Sequence, residues 1–122
     1  MDLVDVTHQV RDLVQVEGMQ DGICSLFVPH TTAGLTLNEN WDPDVRHDIL
    51  LTLAQMAPPD PRHAHRERNS PAHILASLVG SSLMILVDRG QLQLGSWQGI
   101  YLAEFDGPRR RSIWVQLISS RT

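Results

Sequence analysis

The rhythm of apolar and polar positions changes several times along the chain. After Thr7, the apolar residues Val10, Leu13 and Val14 recur at helical spacing, and Gly18 stands just beyond them. That pattern predicts a short helix capped by Thr7. QDG (20–22) is a turn. ICSLFVPH (23–30) is continuously apolar and predicts a buried strand, and TTAGLTLNEN (31–40) predicts a second extended run after a break at His30. DPDVRHDILLTLAQMAP then carries the clearest helical signal. Asp42 is the expected N-cap, Pro43 takes the first helical position and Asp44 complements the helix dipole. Val45, Ile49, Thr52, Leu53 and Met56 form its expected buried stripe, and Pro58 and Pro59 stop it.

Ser70 and Pro71 open another helix, AHILASLV, ending at Gly80. The remainder alternates as antiparallel sheet. SSLMILVD and QLQLGSWQ are expected to form a hairpin around Arg89-Gly90, and GIYLAEFD and RRSIWVQLIS a second one joined by GPR. The expected fold class is therefore α+β and strand-rich, an antiparallel β-sandwich or distorted barrel with two to three short helices. The 122 residues suit a single domain. Small strand-rich domains leave edges to manage, which favours oligomerisation.

Composition removes several function classes. The net charge of -4 argues against strong non-specific nucleic-acid binding. No apolar run reaches membrane-spanning length and the N-terminus lacks signal-peptide character, so a cytoplasmic protein with no membrane partner is expected. Cys24 is the only cysteine, which excludes an intrachain disulfide, and its apolar setting predicts a buried structural thiol. All ten basic residues are arginine. Schiff-base and P-loop lysine chemistry are thus impossible within these residues, and any phosphate must be held by arginine, backbone N–H groups or a metal. Arg109-Arg110-Arg111 is the one local basic cluster that suggests an anion site.

Candidate chemistry gathers in three places. The proline-rich connection over residues 57–70 is long for so small a domain, a length associated with function or disorder. Its HAHRERNSPAHI stretch brings His63, His65 and His73 close in sequence. With His30 at a strand end, such imidazoles suit a divalent metal, zinc before others, or proton transfer; spacing alone, with no HExxH-type pattern, favours a solvated loop. NENWDPDVRHD supplies Glu39 and Asp48, acids that helix capping does not explain. Arg46 is explained by a simple pair with Asp42 one turn earlier. In LGSWQGIYLAEFDG, Gly95 and Gly99 flank Ser96-Trp97-Gln98, and Glu104 and Asp106 alternate so as to share a strand face.

These segments, in this order, resemble the YjbQ-like (UPF0047) family, also called the secondary thiamine-phosphate synthase family. The likeness rests on HTTAGLTLNEN with DPDVRHD, on HRERNSPAHILASLVGSSL, and on GSWQGIYLAEFDGPRRRSIWVQL. It implies a sandwich or distorted barrel assembled as a homotrimer, with a cleft lined by the motif residues. It implies a metal site at His30, His65 and His73, holding zinc or magnesium. It implies catalytic roles for Glu39, Asp48 and Glu104, and substrate contacts for Asn69, Ser96, Trp97, Gln98, Arg109 and Arg110. His63 has no counterpart in the motif. Arg68 stands where the family pattern has glycine, and members carry an N-terminal strand before the part matching DLVDVT. The implied substrate is a small phosphorylated metabolite. The implied activity joins a pyrimidine diphosphate to a thiazole phosphate, with two rivals: a metal-dependent hydrolase of a phosphate-containing substrate, and a non-catalytic trimeric binding protein for an anionic metabolite.

Overall fold

The computed structural model of the chain describes residues 1–120. Strand β1 (Asp2–Asp5) leads into helix α1 (Thr7–Glu17). Strands β2 (Gly22–Phe27) and β3 (Ala33–Glu39) follow, then helices α2 (Pro43–Met56) and α3 (Ser70–Val79), and strands β4 (Ser82–Asp88), β5 (Gln91–Leu92), β6 (Gln98–Glu104) and β7 (Trp114–Ser119). The strands form two antiparallel sheets, one ordered β1-β6-β3 and the other β5-β4-β2-β7. The expected α+β class holds.

The alternation within IYLA explains the layering. Ile100 and Leu102 point from β6 into a core shared with Cys24, Leu26, Ile85 and Val87 of the other sheet and with Val10 and Val14 of α1. Tyr101 and Ala103 point the opposite way, against Ala57, Ala72 and Leu75 beneath the helices. β6 is thus buried on both faces, and the layers run helices, three-stranded sheet, four-stranded sheet. Cys24 lies in the inter-sheet core, and burial pushes its thiol pKa up, as a structural cysteine requires. Among the described residues, nothing covers the outer face of the four-stranded sheet, where Met84, Leu86, Trp114 and Ile118 are exposed.

Five local expectations need correction. First, Thr7 is the first helical residue rather than the cap. Val6 is the N-cap, Asp5 accepts the Thr7 N–H, and the Thr7 hydroxyl accepts from Ile100 N–H at 2.8 Å. A buried strand amide competed successfully for that oxygen. Second, residues 2–5 are a strand that the alternation alone left unread. Third, the expected second hairpin does not form, because β6 belongs to one sheet and β7 pairs with β2 in the other. The intervening GPRRR crosses between layers. Fourth, α2 buries none of its residues. Ile49 and Leu53 are half-buried, while Thr52 and Met56 face solvent. Fifth, Arg46 turns inward to pair with Asp2 and to donate to the Leu3 carbonyl at 2.9 Å, tying α2 to β1 instead of meeting Asp42. Asp42 does cap α2, accepting from Asp44 N–H at 2.9 Å.

Candidate functional site

The antiparallel pair β3/β6 has polar constellations at both ends. At one end, Ala33 faces Glu104; at the other, Glu39 faces Gln98. Six residues of strand put the ends roughly 20 Å apart.

The first end is densely bonded. Arg111 grips both oxygens of Glu104, at 2.6 to 3.0 Å, and also donates to the Thr32 hydroxyl at 2.8 Å. Both side chains are about nine-tenths buried. With both oxygens committed to a guanidinium, Glu104 ties strand β6 to the loop that carries Arg111, where a catalytic role was expected. The strand ends at Glu104, so the expected alignment with Asp106 is lost. Asp106 instead accepts from Asn69 Nδ2 at 2.7 Å and from Arg109 at 2.9 Å. The Asn69 bond, aided by the charges of Arg109 and Arg111, holds its carboxyl below the usual range, against the opposing effect of burial. Asn69 Oδ1 is buried without a hydrogen-bond partner among the described residues. His30 joins through Ser112, whose N–H donates to its Nε2 at 2.9 Å.

Asn69 precedes α3 and fixes where the histidine loop lands. Its carbonyl accepts from Ala72 N–H at 3.0 Å, and Arg68 N–H donates to the His65 carbonyl at 3.2 Å. The rings of His65 and His73 then meet edge-to-face, centroids 5.3 Å apart. With Arg62, His63 and Ser70 they line an open groove of about 500 Å³. Arg68 has φ of +61°, the left-handed region that glycine adopts freely. The backbone shape survives the substitution and the arginine carries the strain.

The second end is open. Trp97 and Trp41 meet at 6.3 Å with a 68° angle between planes, and both are more than half exposed. Asn40 N–H donates to the Trp97 carbonyl, and the Tyr101 hydroxyl donates to the Glu39 carbonyl. Gln98 Oε1 accepts from Gly95 N–H at 2.8 Å, closing the turn that presents Ser96 and Trp97. Gly99 is needed here: a Cβ would lie 2.3 Å from the Asn40 amide nitrogen.

The predicted residues therefore separate. His65 and His73 stand together, Asn69 and Arg109 meet on Asp106, and His30 is bonded to Ser112. Glu39, Ser96, Trp97 and Gln98 stand at the far end. Asp48 is isolated on the exposed face of α2 beside His47, and Arg110 is exposed at the loop tip. Of the three expected metal ligands, two converge; His30 has committed Nε2 to Ser112. Among the described residues, no three His, Cys, Asp or Glu side chains converge as a ready metal-holding group. The sequence does not single out Thr32 or Trp41, and it places Arg111 in an anion-site triplet rather than in an ion pair with Glu104. Arg111 was hidden in a triplet of which only two members lack a deep ion pair, and Trp41 looked like a flank of the capping motif.

Comparison with known proteins gives one consistent result. A family model described as UPF0047 protein YjbQ-like matches residues 1–120. A UPF0047 protein of Methanocaldococcus jannaschii is 48% identical over 98% of this chain and 87% of that protein. The UPF0047 protein YugU of Bacillus subtilis is 42% identical over 96% of this chain and 89% of its own. A crystal structure of an uncharacterized conserved protein of the yjbq/upf0047 family from Clostridium acetobutylicum superposes with a TM-score of 0.92 at 51% identity, covering 95% of this chain and 90% of that one.

Proposed function

The chain belongs to the UPF0047 YjbQ-like family, and we propose that it is a small-molecule enzyme acting on a phosphate-containing substrate at the α3 end of the β3/β6 pair. The observation that carries this reading is the His65–His73 pair, which with Arg62 lines an open groove. Imidazoles and a guanidinium lining a groove are donors that a phosphate or pyrophosphate oxygen requires. With no lysine in the chain, arginine, imidazole and backbone N–H groups are the available phosphate donors.

The finer reading is the transfer named for the family by resemblance. The ring nitrogen of a thiazole phosphate attacks the methylene carbon of a pyrimidine diphosphate, and pyrophosphate leaves. His65, His73 and Arg62 hold and neutralise the leaving pyrophosphate. Two imidazoles in contact fit part of a zinc donor set and suit magnesium poorly, since magnesium prefers oxygen ligands. A zinc ion held by His65 and His73 would supply further positive charge to the leaving oxygen. The hydrolase reading uses the same donors with water as nucleophile. The binding-protein reading uses them without turnover.

Self-association as a homotrimer belongs to the same proposal. On the outer face of the four-stranded sheet, Leu86, Ile23 and Ile118 form one row, and Phe27 faces Trp114 at the His30 end. Met84, Leu86, Trp114, Ile118 and Phe27 together expose on the order of 500 Å², high for one patch on a monomer and over half of the roughly 800 Å² each partner gives to a stable interface.

The test is pyrophosphate release from a pyrimidine diphosphate with and without a thiazole phosphate, with zinc or magnesium supplied. Release that needs both substrates and is lost in His65→Ala supports the transferase. Release from the diphosphate alone supports the hydrolase. Binding of the diphosphate without any turnover supports the binding protein.

A further inference from the structure

We propose that Arg68 and His63 form a second anion subsite, contiguous with the His65–His73 groove, that holds the phosphate of a second phosphorylated substrate. The inference rests on the phosphate reading above and deepens it by giving that reading's second substrate a place.

The loop before α3 sets the geometry. Arg68 N–H donates to the His65 carbonyl at 3.2 Å, closing a turn over residues 65–68, and the chain leaves that turn with Arg68 at φ of +61°. Glycine enters this conformation freely, and a bulky residue enters it at a cost that is often met at binding sites. No bond of the side chain offsets that cost. Among the described residues, the Arg68 guanidinium has no hydrogen bond and no ion pair, whereas Arg46, Arg62, Arg109 and Arg111 are each paired with a carboxylate. Arg68 instead lines a hollow of about 320 Å³ with His63, Asp60 and the prolines Pro59, Pro61 and Pro71.

The hollow suits a phosphate. Three proline rings fix φ in its walls, so little freedom is lost when a ligand arrives. Asp60 is the one acid lining it, and Arg62 already neutralises that charge: its guanidinium donates to both carboxylate oxygens, at 2.7 and 3.0 Å, and its backbone N–H to one of them. These bonds hold the Asp60 carboxyl down to about 2. The Asp60–Arg62 pair sums to zero, which leaves Arg68 as the net charge of the hollow. A planar guanidinium with its donors free grips a phosphate through parallel N–H bonds.

His63 joins this hollow to the histidine groove, because it lines both. Two anions held on either side of one imidazole lie close enough to take part in one reaction. The transfer described above has two phosphorylated partners. The His65–His73 side takes the leaving pyrophosphate, and the acceptor's phosphate, at which no bond breaks, needs a cation of its own. Arg68 supplies it.

Two inorganic probes test the subsite. Pyrophosphate, and then inorganic phosphate with and without saturating pyrophosphate, are titrated calorimetrically into wild type, Arg68→Gly, Arg68→Lys, His73→Ala and Arg66→Ala. Arg66 is an equally exposed arginine on the same turn that does not line the hollow, so its loss removes the same charge nearby. Arg68→Gly relieves the left-handed strain, so lost binding in that variant cannot come from unfolding. The expected result is that phosphate binds wild type and Arg66→Ala alike in the presence of pyrophosphate, binds Arg68→Gly roughly fivefold or more weakly and recovers in Arg68→Lys, with pyrophosphate affinity in the Arg68 variants unchanged to within about twofold. Unchanged phosphate affinity in Arg68→Gly, equal losses in Arg68→Gly and Arg66→Ala, or no phosphate binding by wild type would overturn the subsite. Phosphate binding that depends on Arg68, with no pyrophosphate binding that depends on His73, would leave the subsite standing and remove the functional reading beside it.

Discussion

The two ends of the β3/β6 pair are made of similar residues and behave as opposites. At the Asp106 end, two arginines, two acids, a threonine and an asparagine are held by one another, and both members of the central ion pair are about nine-tenths buried. At the Trp97 end, the side chains rest on exposed loops and are held mostly by backbone bonds and one edge-to-face contact. The difference separates architecture from recognition. A carboxylate already saturated by a guanidinium holds a loop in place, while residues left half in water are the ones still able to meet a ligand or a partner.

Breaking the locked end should be costly. Arg111→Met leaves the Glu104 carboxylate buried and unpaired, and it is expected to destabilise the fold by about 3–5 kcal/mol in denaturant unfolding. Replacing both members with methionine should recover most of that loss, since a packed apolar pair is often neutral relative to a buried ion pair. If the double variant were no more stable than the single, the loop would depend on something other than the pair.

Asp106 sharpens the contrast through pH. Its folded pKa lies below the ordinary carboxylate value of about 3.9, chiefly through the Asn69 bond. The unfolded state therefore takes up the proton first as pH falls. The stabilisation is present above the unfolded value and is lost as pH drops through the folded one. Unfolding free energies measured from pH 6 to pH 2 should fall less steeply for Asp106→Asn than for the wild type. Equal slopes would mean the carboxylate contributes nothing to acid stability.

Arg68 offers a smaller effect of opposite sign. An arginine at φ of +61° bears left-handed strain that glycine avoids, so Arg68→Gly should stabilise the protein by about 1 kcal/mol, offset in part by added freedom in the unfolded chain. At the open end, Trp41→Ala should change stability by no more than about 0.5 kcal/mol, as expected for a largely exposed side chain, while altering the fluorescence of the Trp97 contact.

How much of this was legible in the sequence follows from the range of the forces involved. Local signals read well: the Asp42 cap with Pro43, the Gly18 terminus in its left-handed conformation, and the helix opening at Ser70-Pro71 all depend on neighbours in the chain. Sheet membership did not. β6 and β7 look like a hairpin because both alternate around a glycine-proline turn, yet nothing local tells that the chain changes layers there. The site divides in the same way. His65 and His73, eight residues apart, do meet; His30, expected beside them, has its Nε2 bonded to Ser112, eighty-two positions away. The pairing of Glu104 with Arg111 is invisible in a triplet that looks like a surface cluster. Trp41 passed as the flank of a cap because only the folded turn brings it against Trp97.

The proposed function requires phosphate recognition at the histidine end and not at the tryptophan end. Isothermal titration of inorganic pyrophosphate, in the presence and absence of zinc, measures this directly on the wild type, His73→Ala and Trp97→Ala. The prediction is at least tenfold weaker binding for His73→Ala and unchanged affinity for Trp97→Ala, because pyrophosphate has no ring to stack. Equal affinity in all three proteins, or a loss confined to Trp97→Ala, would contradict it.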